Sequence, residues 1–322
     1  MHITKKLAVA ALASAFALTG CSSSGDEAKP AGGEGGDAGA TEFAHPSFDG
    51  LTVTLDGKPD TIVMDYYAAG GLADYGLDPA GVFGYVAEGP LDKGHARLDG
   101  VPVLGQDADI DMEKVAELKP DVIVGHGGPD GWSWFKEDVN QQLTQVAPFM
   151  PLPQTDDVDS ALEQTKQIAE FLGGDVDSDE VKQAEEDWAA AKDELKKALE
   201  GSDLKILFTS PTKDVVYTAK DFPMADLFEE AGATVIGPEK PKEGNPWGKV
   251  SWEELSQQDA DIIFYEGYDT DALEGVELWT SHPAVKAGQA YPWSSKMADS
   301  YSVQAEWLRD AAEKISQAKK AA

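Results

Sequence analysis

The sequence predicts an α/β protein made of two similar lobes with parallel sheets. Three observations carry this. From residue 51 onward, short β-rich runs alternate with helical ones. A 17-residue stretch recurs at an offset of 140. Two helical stretches in the middle of the chain follow one another with no strand between them.

Taken in order, TIVM (61–64) reads as a strand, and PVL (102–104) as a later candidate. Asp111 to Leu118 reads as a helix with Asp111 as its N-cap. Val122 to Val124 is a short buried strand, and Phe135 to Gln145 a helix. The first central helix spans about 158–172, with Val158, Leu162, Thr165, Ala169 and Leu172 along one stripe and Gly173-Gly174 stopping it. The second spans about 178–200, with Ser178 as N-cap and Val181, Ala184, Trp188, Ala191, Leu195 and Ala198 on one face; Gly201 ends it. One of the two joins the lobes. In the second half LKILF (204–208), ATVI (233–236) and DIIFY (261–265) read as strands, separated by helices at 223–231 and 251–257.

The repeat sets DMEKVAELKPDVIVGHG (111–127) over SWEELSQQDADIIFYEG (251–267). Glu113 meets Glu253, Asp121 meets Asp261, Ile123 meets Ile263 and Gly127 meets Gly267. Each copy is a capped helix, a turn with an Asp, a buried strand and a Gly-bearing loop. Ser251 and Glu254 have the spacing of a capping box.

The chain has 322 residues, 42% of them hydrophobic, enough to bury a large core. Its 59 acidic residues against 26 basic ones give a net charge of -33, which disfavours nucleic acid and anionic membrane surfaces as partners. Cys21 is the single cysteine and forms no internal disulfide. Lys5 and Lys6 followed by the apolar run Leu7 to Leu18 read as a signal peptide over 1–20, too short for a span of ~20 apolar residues. Leu18-Thr19-Gly20-Cys21 resembles the bacterial lipobox, which implies cleavage before Cys21 and lipidation of its sulfur. Removal of Lys5 and Lys6 with this leader takes the charge from -33 to -35. Residues 21–48, rich in Ser, Gly, Ala, Asp and Glu, read as a lipid-anchored flexible tether.

LKPDVIVG (118–125) and SHPAVKAGQAYPW (281–293) resemble elements of the class III periplasmic-binding-protein-like receptors, the ferric-siderophore, haem and vitamin B12 receptors of ABC importers. The order of elements agrees from about residue 60 to 315. The resemblance implies two Rossmann-like lobes joined by a single long helix, with the ligand cleft between them. It implies an N-terminal lobe over 49–156, a connecting helix region over 157–177 and a C-terminal lobe over 178–322. It further implies a monomeric, extracytoplasmic, lipid-anchored solute-binding protein, not an enzyme, with no cofactor of its own. Its partners would be ABC permease subunits served by a separate ATPase, and its cargo a ferric chelate. MDYYAAGG (64–71) departs from many relatives in carrying two tyrosines, which leaves the exact ligand open.

In parallel α/β sheets, ligands bind beyond the carboxyl ends of the strands. The loops there offer Asp65, Tyr66 and Tyr67; His126, Trp132 and Trp134; Ser210 to Lys213; Glu266 and Tyr268; and, from the run Tyr291 to Lys296, Trp293 and Lys296. The candidate ligand-binding residues are therefore Tyr66, Tyr67, His126, Trp132, Trp134, Lys213, Tyr268, Trp293 and Lys296. Tyr and Trp give a bulky chelate broad, rigid contact. Trp247 and Tyr291 fit a core position equally well.

Arg is the preferred fork for anionic groups. The chain holds only Arg97 and Arg309, the latter in a C-terminal helix. That disfavours strongly anionic tris-catecholates, although Lys213, Lys220 and Lys296 offer some charge, and favours a neutral or cationic hydroxamate chelate of the ferrioxamine type. Haem, with Tyr66, Tyr67, His95 or His126 as an axial ligand, and cobalamin remain the alternatives. Glu113 and Glu253 each take the second position of a capped helix, where a carboxylate complements the helix dipole. In the family, one Glu per lobe at this place docks onto the permease, a role both positions match.

A secreted α/β hydrolase is the reading from another class. His126-Gly127-Gly128 has the look of an oxyanion loop, but no G-x-S-x-G elbow follows. Asp107, Asp109 and Asp111 alternate as in a calcium loop, yet Met112 and Leu118 stand where Gly and Glu are needed. There is no P-loop, C-x-x-C or H-E-x-x-H, so no catalytic or metal-ligating set is assigned.

Overall fold

In the computed structural model, described for residues 40–321 apart from 88, 242–245 and 268–272, each lobe is a sheet with a parallel core, extended by two antiparallel strands in the second lobe, and clothed by helices. Cys21, the leader and Tyr268 lie outside the described residues. Among the described residues no helix is long and apolar enough to cross a membrane.

The first lobe contains β1 Thr41–Ala44, β2 Thr52–Leu55, β3 Ile62–Asp65, β4 Gly81–Phe83, β5 Val122–Gly125, β6 Gly127–Gly128, β7 Gly131–Trp132 and β8 Phe149–Pro151. Its helices are α1 Tyr66–Leu72, α2 Pro90–Lys93, α3 Met112–Leu118 and α4 Glu137–Val146. The main sheet runs β4-β3-β5-β8, all parallel. Both faces are covered, so its strands are unbroken apolar runs. Met64, Val122 and Val124 enter one core, while Val63, Phe83, Ile123 and Phe149 enter the other. Val103 makes only an isolated bridge to Val82, so the run 102–104 is not a full strand.

The tether expected over 21–48 must end earlier. Thr41–Ala44 pairs antiparallel with β2. Phe43 stacks on Phe171 at 5.1 Å, and buried His45 bonds the Pro151 carbonyl through Nε2 at 2.9 Å. Two aromatics and a histidine in this short stretch give it apolar surface to bury, which the Gly-rich residues before it lack.

Helices α5 Val158–Phe171 and α6 Asp179–Leu199 make the connection. They lie antiparallel. Trp188 Nε1 and Lys192 Nζ both donate to Asp159, at 2.6 and 2.7 Å, and Lys166 pairs with Glu185. Val158 and Leu162 of α5 pack in the second lobe's core, Ile168 and Ala169 in the first. Helix α6 starts with Val181 in the first lobe's core and ends with Leu195 and Leu199 in the second's, so it carries the chain across. The connecting element thus extends beyond the 157–177 expected for it.

The second lobe contains β9 Lys205–Pro211, β10 Val216–Thr218, β11 Thr234–Ile236, β12 Gly248–Val250, β13 Ile262–Glu266 and β14 Ala290–Trp293. Helices α7 Pro223–Glu230, α8 Trp252–Leu255, α9 Glu277–Ser281, α10 Pro283–Lys286 and α11 Tyr301–Gln317 accompany them. The order is β12-β10-β9-β13-β14, with β11 also on β9; β9, β11, β13 and β14 are parallel.

The internal repeat reappears as a shared device. Asp121 Oδ2 accepts from the backbone N–H of Thr61 at 2.8 Å, at the entry to β3. Asp261 Oδ2 accepts from Lys205 N–H at 2.8 Å, at the entry to β9. In each lobe an Asp before the second repeat strand thus pins the first residues of the central strand.

The lobes also meet along a glycine-lined seam. A Cβ on Gly70 would come within 3.1 Å of Ala298 Cβ, and one on Gly94 equally close. Ala298 N–H donates to Leu91 O at 2.9 Å, and Ser300 Oγ to Asp74 Oδ2 at 2.5 Å.

A candidate ligand cleft between the lobes

Strands β5 and β14 end beside or on residues that line a space between the lobes, His126 and Trp293. A cleft of about 520 Å³ lies there. Its first-lobe side includes His126 and Gln154, and Thr155 to Val158 lead into α5. Its second-lobe side includes Phe222, Met224, Trp293, Ser294, Ser295, Met297, Asp299 and Gln304.

The first-lobe wall is organised by Asp65, which caps α1 at the end of β3. Its Oδ1 accepts from Ala68 N–H at 2.8 Å; its Oδ2 accepts from His126 N–H at 2.6 Å and from Trp132 Nε1 at 2.8 Å. Burial, opposed by these hydrogen bonds, raises the Asp65 pKa to about 6. The β6–β7 hairpin is thereby tied to β3. Gly127 is required there, because a Cβ would strike Gly131 O at 2.1 Å. Beyond the hairpin, Trp134 is 37% exposed and lies nearly parallel to Tyr67, 6.0 Å between centroids. Its other ring contacts are His126 and Trp132, each at 4.8 Å, and Tyr85 at 5.2 Å. Burial lowers the His126 pKa, so the ring is neutral. The product is an aromatic cluster of Tyr67, Tyr85, His126 and Trp134, of which His126 lines the cleft and Tyr67 and Tyr85 line the small pocket beside it.

Trp132, expected in the cleft, is a correction. It is 1% exposed and packs against Phe83 and Phe135. Its Gly-rich surroundings curl the loop back onto the sheet, and its N–H finds a buried acceptor. Tyr66 likewise faces the first-lobe core. Lys213 sits exposed in the turn between β9 and β10, its carbonyl accepting from Trp252 Nε1 at 3.1 Å, and lines no part of the cleft. Trp293 is largely buried against Phe208 but does line the cleft. Lys296 sits with Tyr66, Tyr67, Tyr85 and Asp92 in a small adjoining pocket. Phe222, Met224, Asp299 and Gln304 were not foreseen, because they precede or open helices instead of following repeat strands.

The electrostatics of the cleft are one-sided. Among the described residues its lining includes Asp156, Asp157 and Asp299 and no Lys or Arg. Both arginines are engaged elsewhere, Arg97 with Asp78 at 2.6 Å and Arg309 with Asp187 at 2.7 Å. Among the described residues, no group of three His, Cys, Asp or Glu side chains converges to hold a metal ion.

Asp65 and Asp299 both move from 3.8 to about 6 on burial. Each binds a proton more readily folded than unfolded, so each penalises the folded state as pH rises through that window. Asp74 behaves oppositely: its burial is outweighed by hydrogen bonds from Ser300, Ser302 and His95, and its contribution is lost in acid. His45, His126 and His282, each held below the ordinary imidazole value by burial, act in the opposite sense as pH falls, so the carboxylate effect is read as a difference between variants. Relative to Asp299→Asn, the ligand-free wild type should lose stability as pH rises from 3.8 to about 6. Scanning calorimetry of the two proteins across pH checks this; a difference in melting temperature that stays constant over that window would contradict it.

Helices α3 and α8 both begin at the cleft side. The segment before α3 bonds the end of β4, through Leu104 N–H to Val82 O at 2.7 Å and Asp107 N–H to Gly84 O at 3.1 Å. Helix α8 follows β12, whose Val250 pairs with Val216 beside the end of β9. Glu113 and Glu253 each occupy the second position, exposed, after the N-caps Asp111 and Ser251; the Ser251–Glu254 capping box is formed.

Comparison with known proteins agrees with this geometry. The family described as periplasmic binding protein matches residues 77–297. Among solved structures the chain is similar to DesE, a ferric-siderophore receptor protein from Streptomyces coelicolor. Identity is 27% and the TM-score 0.77, over 87% of this chain and 99% of that one. It is also similar in fold to the siderophore periplasmic binding protein from the fuscachelin gene cluster of Thermobifida fusca, with 24% identity, a TM-score of 0.59 and coverage of 81% and 97%. A curated relative is the putative ABC transporter substrate-binding lipoprotein YhfQ of Bacillus subtilis (strain 168). It is 24% identical over 238 residues, 68% of this chain and 71% of that protein.

Proposed function

We propose that this chain, which belongs to the periplasmic binding protein family, is the extracytoplasmic receptor that delivers a ferric siderophore, neutral or cationic and of the hydroxamate type, to an ABC importer. Members of the family are substrate-binding proteins and not enzymes. The observation that carries the ligand class is the cleft itself: apolar and aromatic walls around an acidic, arginine-free lining. A tris-catecholate complex, strongly anionic, would meet Asp156, Asp157 and Asp299 unpaired. A ferric tris-hydroxamate is neutral at its metal centre and apolar around it, which suits Trp134, Phe222, Met224 and Trp293. The likeness to the Streptomyces receptor supports the siderophore reading. Iron enters as cargo inside its chelate.

Lipidation at Cys21 would hold the protein at the membrane face, and Glu113 and Glu253 would be its contacts with the permease. Monomeric action fits a site contained in one chain.

Tryptophan fluorescence of the mature chain, titrated with ferrioxamine, a ferric catecholate, haemin and cobalamin, tests the ligand class. Saturable quenching by ferrioxamine at submicromolar concentration is expected. Trp134→Ala should weaken it about 5- to 30-fold, the loss of one aromatic platform, while leaving stability within about 1 kcal/mol. Quenching by haemin or cobalamin alone would replace the ligand and keep the receptor role. Silence with all four would remove the chelate reading.

A further inference from the structure

We propose that Asp299 and Gln304 form a subsite for a protonated primary amine carried by the chelator, so that the receptor selects amine-terminated ferric chelates over their N-acylated forms. This rests on the hydroxamate-siderophore reading above and specifies which members of that class are bound.

Both residues line the cleft. Asp299 lies one residue before Ser300, the N-cap of α11, and Gln304 lies in the first turns of that helix. Gln304 is 4% exposed. Its Nε2 donates to Ala298 O at 3.2 Å, which fixes the orientation of the amide. Its Oε1 is then left buried without any donor. A buried carbonyl oxygen with no partner costs about 1–3 kcal/mol, and such atoms are rare in folded chains.

Asp299 is half-buried in the same wall, and desolvation raises its pKa to about 6. Among the described residues no Lys or Arg shares the cleft lining, so a cationic complement is assigned to the ligand. The side chains of Asp299 and Gln304 offer a carboxylate and an amide carbonyl oxygen here. An alkylammonium group supplies one positive charge and three N–H donors in a compact head. Asp156 and Asp157, at the entry to α5, add to the negative potential along the same cleft.

The subsite is also rigidly placed. A Cβ at Gly71 would meet the backbone O of Asp299 at 3.4 Å and its N at 3.7 Å, so α1 lies flush against this segment. The Asp74 carboxylate holds Ser300 and Ser302 immediately beyond it.

The test is calorimetric titration of the mature chain with ferrioxamine B, a linear tris-hydroxamate ending in a free amine, and with its N-acetyl derivative. The two share metal centre, backbone and size. Wild type should bind the amine form about 10- to 100-fold more tightly, the range of one charge-assisted hydrogen-bonded pair. Asp299→Asn should bring the amine form down to the acetylated form's affinity and leave the latter unchanged, which also reports that the variant is folded. Gln304→Leu should reduce the same preference in part. Equal binding of the two ligands by wild type, or equal weakening of both in Asp299→Asn, overturns the subsite while the siderophore reading stands. Binding of neither ligand by wild type overturns both.

Discussion

The double variant Glu113→Ala, Glu253→Ala is expected to bind ferric chelate as tightly as wild type and to abolish its uptake. Neither side chain lines the cleft. Each stands exposed in the first turn of a short capped helix, one per lobe, on the side where the strands of both sheets end. As helix-dipole partners they contribute about 0.3–1 kcal/mol apiece, too little for their loss to unfold the protein. Two carboxylates on separate lobes do suit a partner that grips both lobes at once through basic pockets. Cells carrying the double variant as their receptor should take up labelled ferric chelate at background rate, and single variants at intermediate rates. Wild-type uptake by the double variant, with the protein at normal abundance, would leave these glutamates as helix-dipole partners and nothing more.

Trp132→Ala should be the most damaging substitution at the site, with stability the first casualty. Deleting a fully buried indole costs about 3–5 kcal/mol. Here it also removes one of the three donors that hold Asp65 and opens space beneath Trp134, 4.8 Å away. Denaturant unfolding should show the loss, and chelate affinity should fall with it because the His126–Trp134 wall loses its support. Trp132→Phe keeps most of the packing and forfeits only the N–H bond, so about 1–2 kcal/mol is expected. Trp134→Ala should show the reverse pattern, with binding lost and stability kept. If both tryptophans affected binding without affecting stability, Trp132 would face ligand after all.

Much of the fold was legible in the sequence, because fully buried parallel strands are short apolar runs and capped helices announce their starts. Val122–Gly125 and Ile262–Glu266 are of this kind, and the repeat containing them located one equivalent strand in each lobe. The strands at β4, β8, β10 and β12 have three residues each and too little pattern to stand out. At the site, the rule that ligands bind beyond strand ends pointed to Tyr67, His126 and Trp134, which the structure brings together in one aromatic cluster. It could not separate Trp132 from Trp134. The two differ by which ring finds the Asp65 acceptor, a tertiary fact that spacing does not encode. Asp299 carried no local signal, since the wall it lines is assembled from distant segments.

The glycine seam bears on how this protein could be used as a sensor. Gly70, Gly71 and Gly94 let the backbone of one lobe rest against residues 298–299 of the other with no side chain between. A joint so closely fitted leaves little room for the lobes to swing. A reporter pair placed on the two lobe tips to read their separation would therefore give a weak signal on loading. A single environment-sensitive dye beside Trp134, which packs on the cleft residue His126, would report on the cargo site itself. Its selectivity could then be altered by exchanging wall residues, with the joint left untouched.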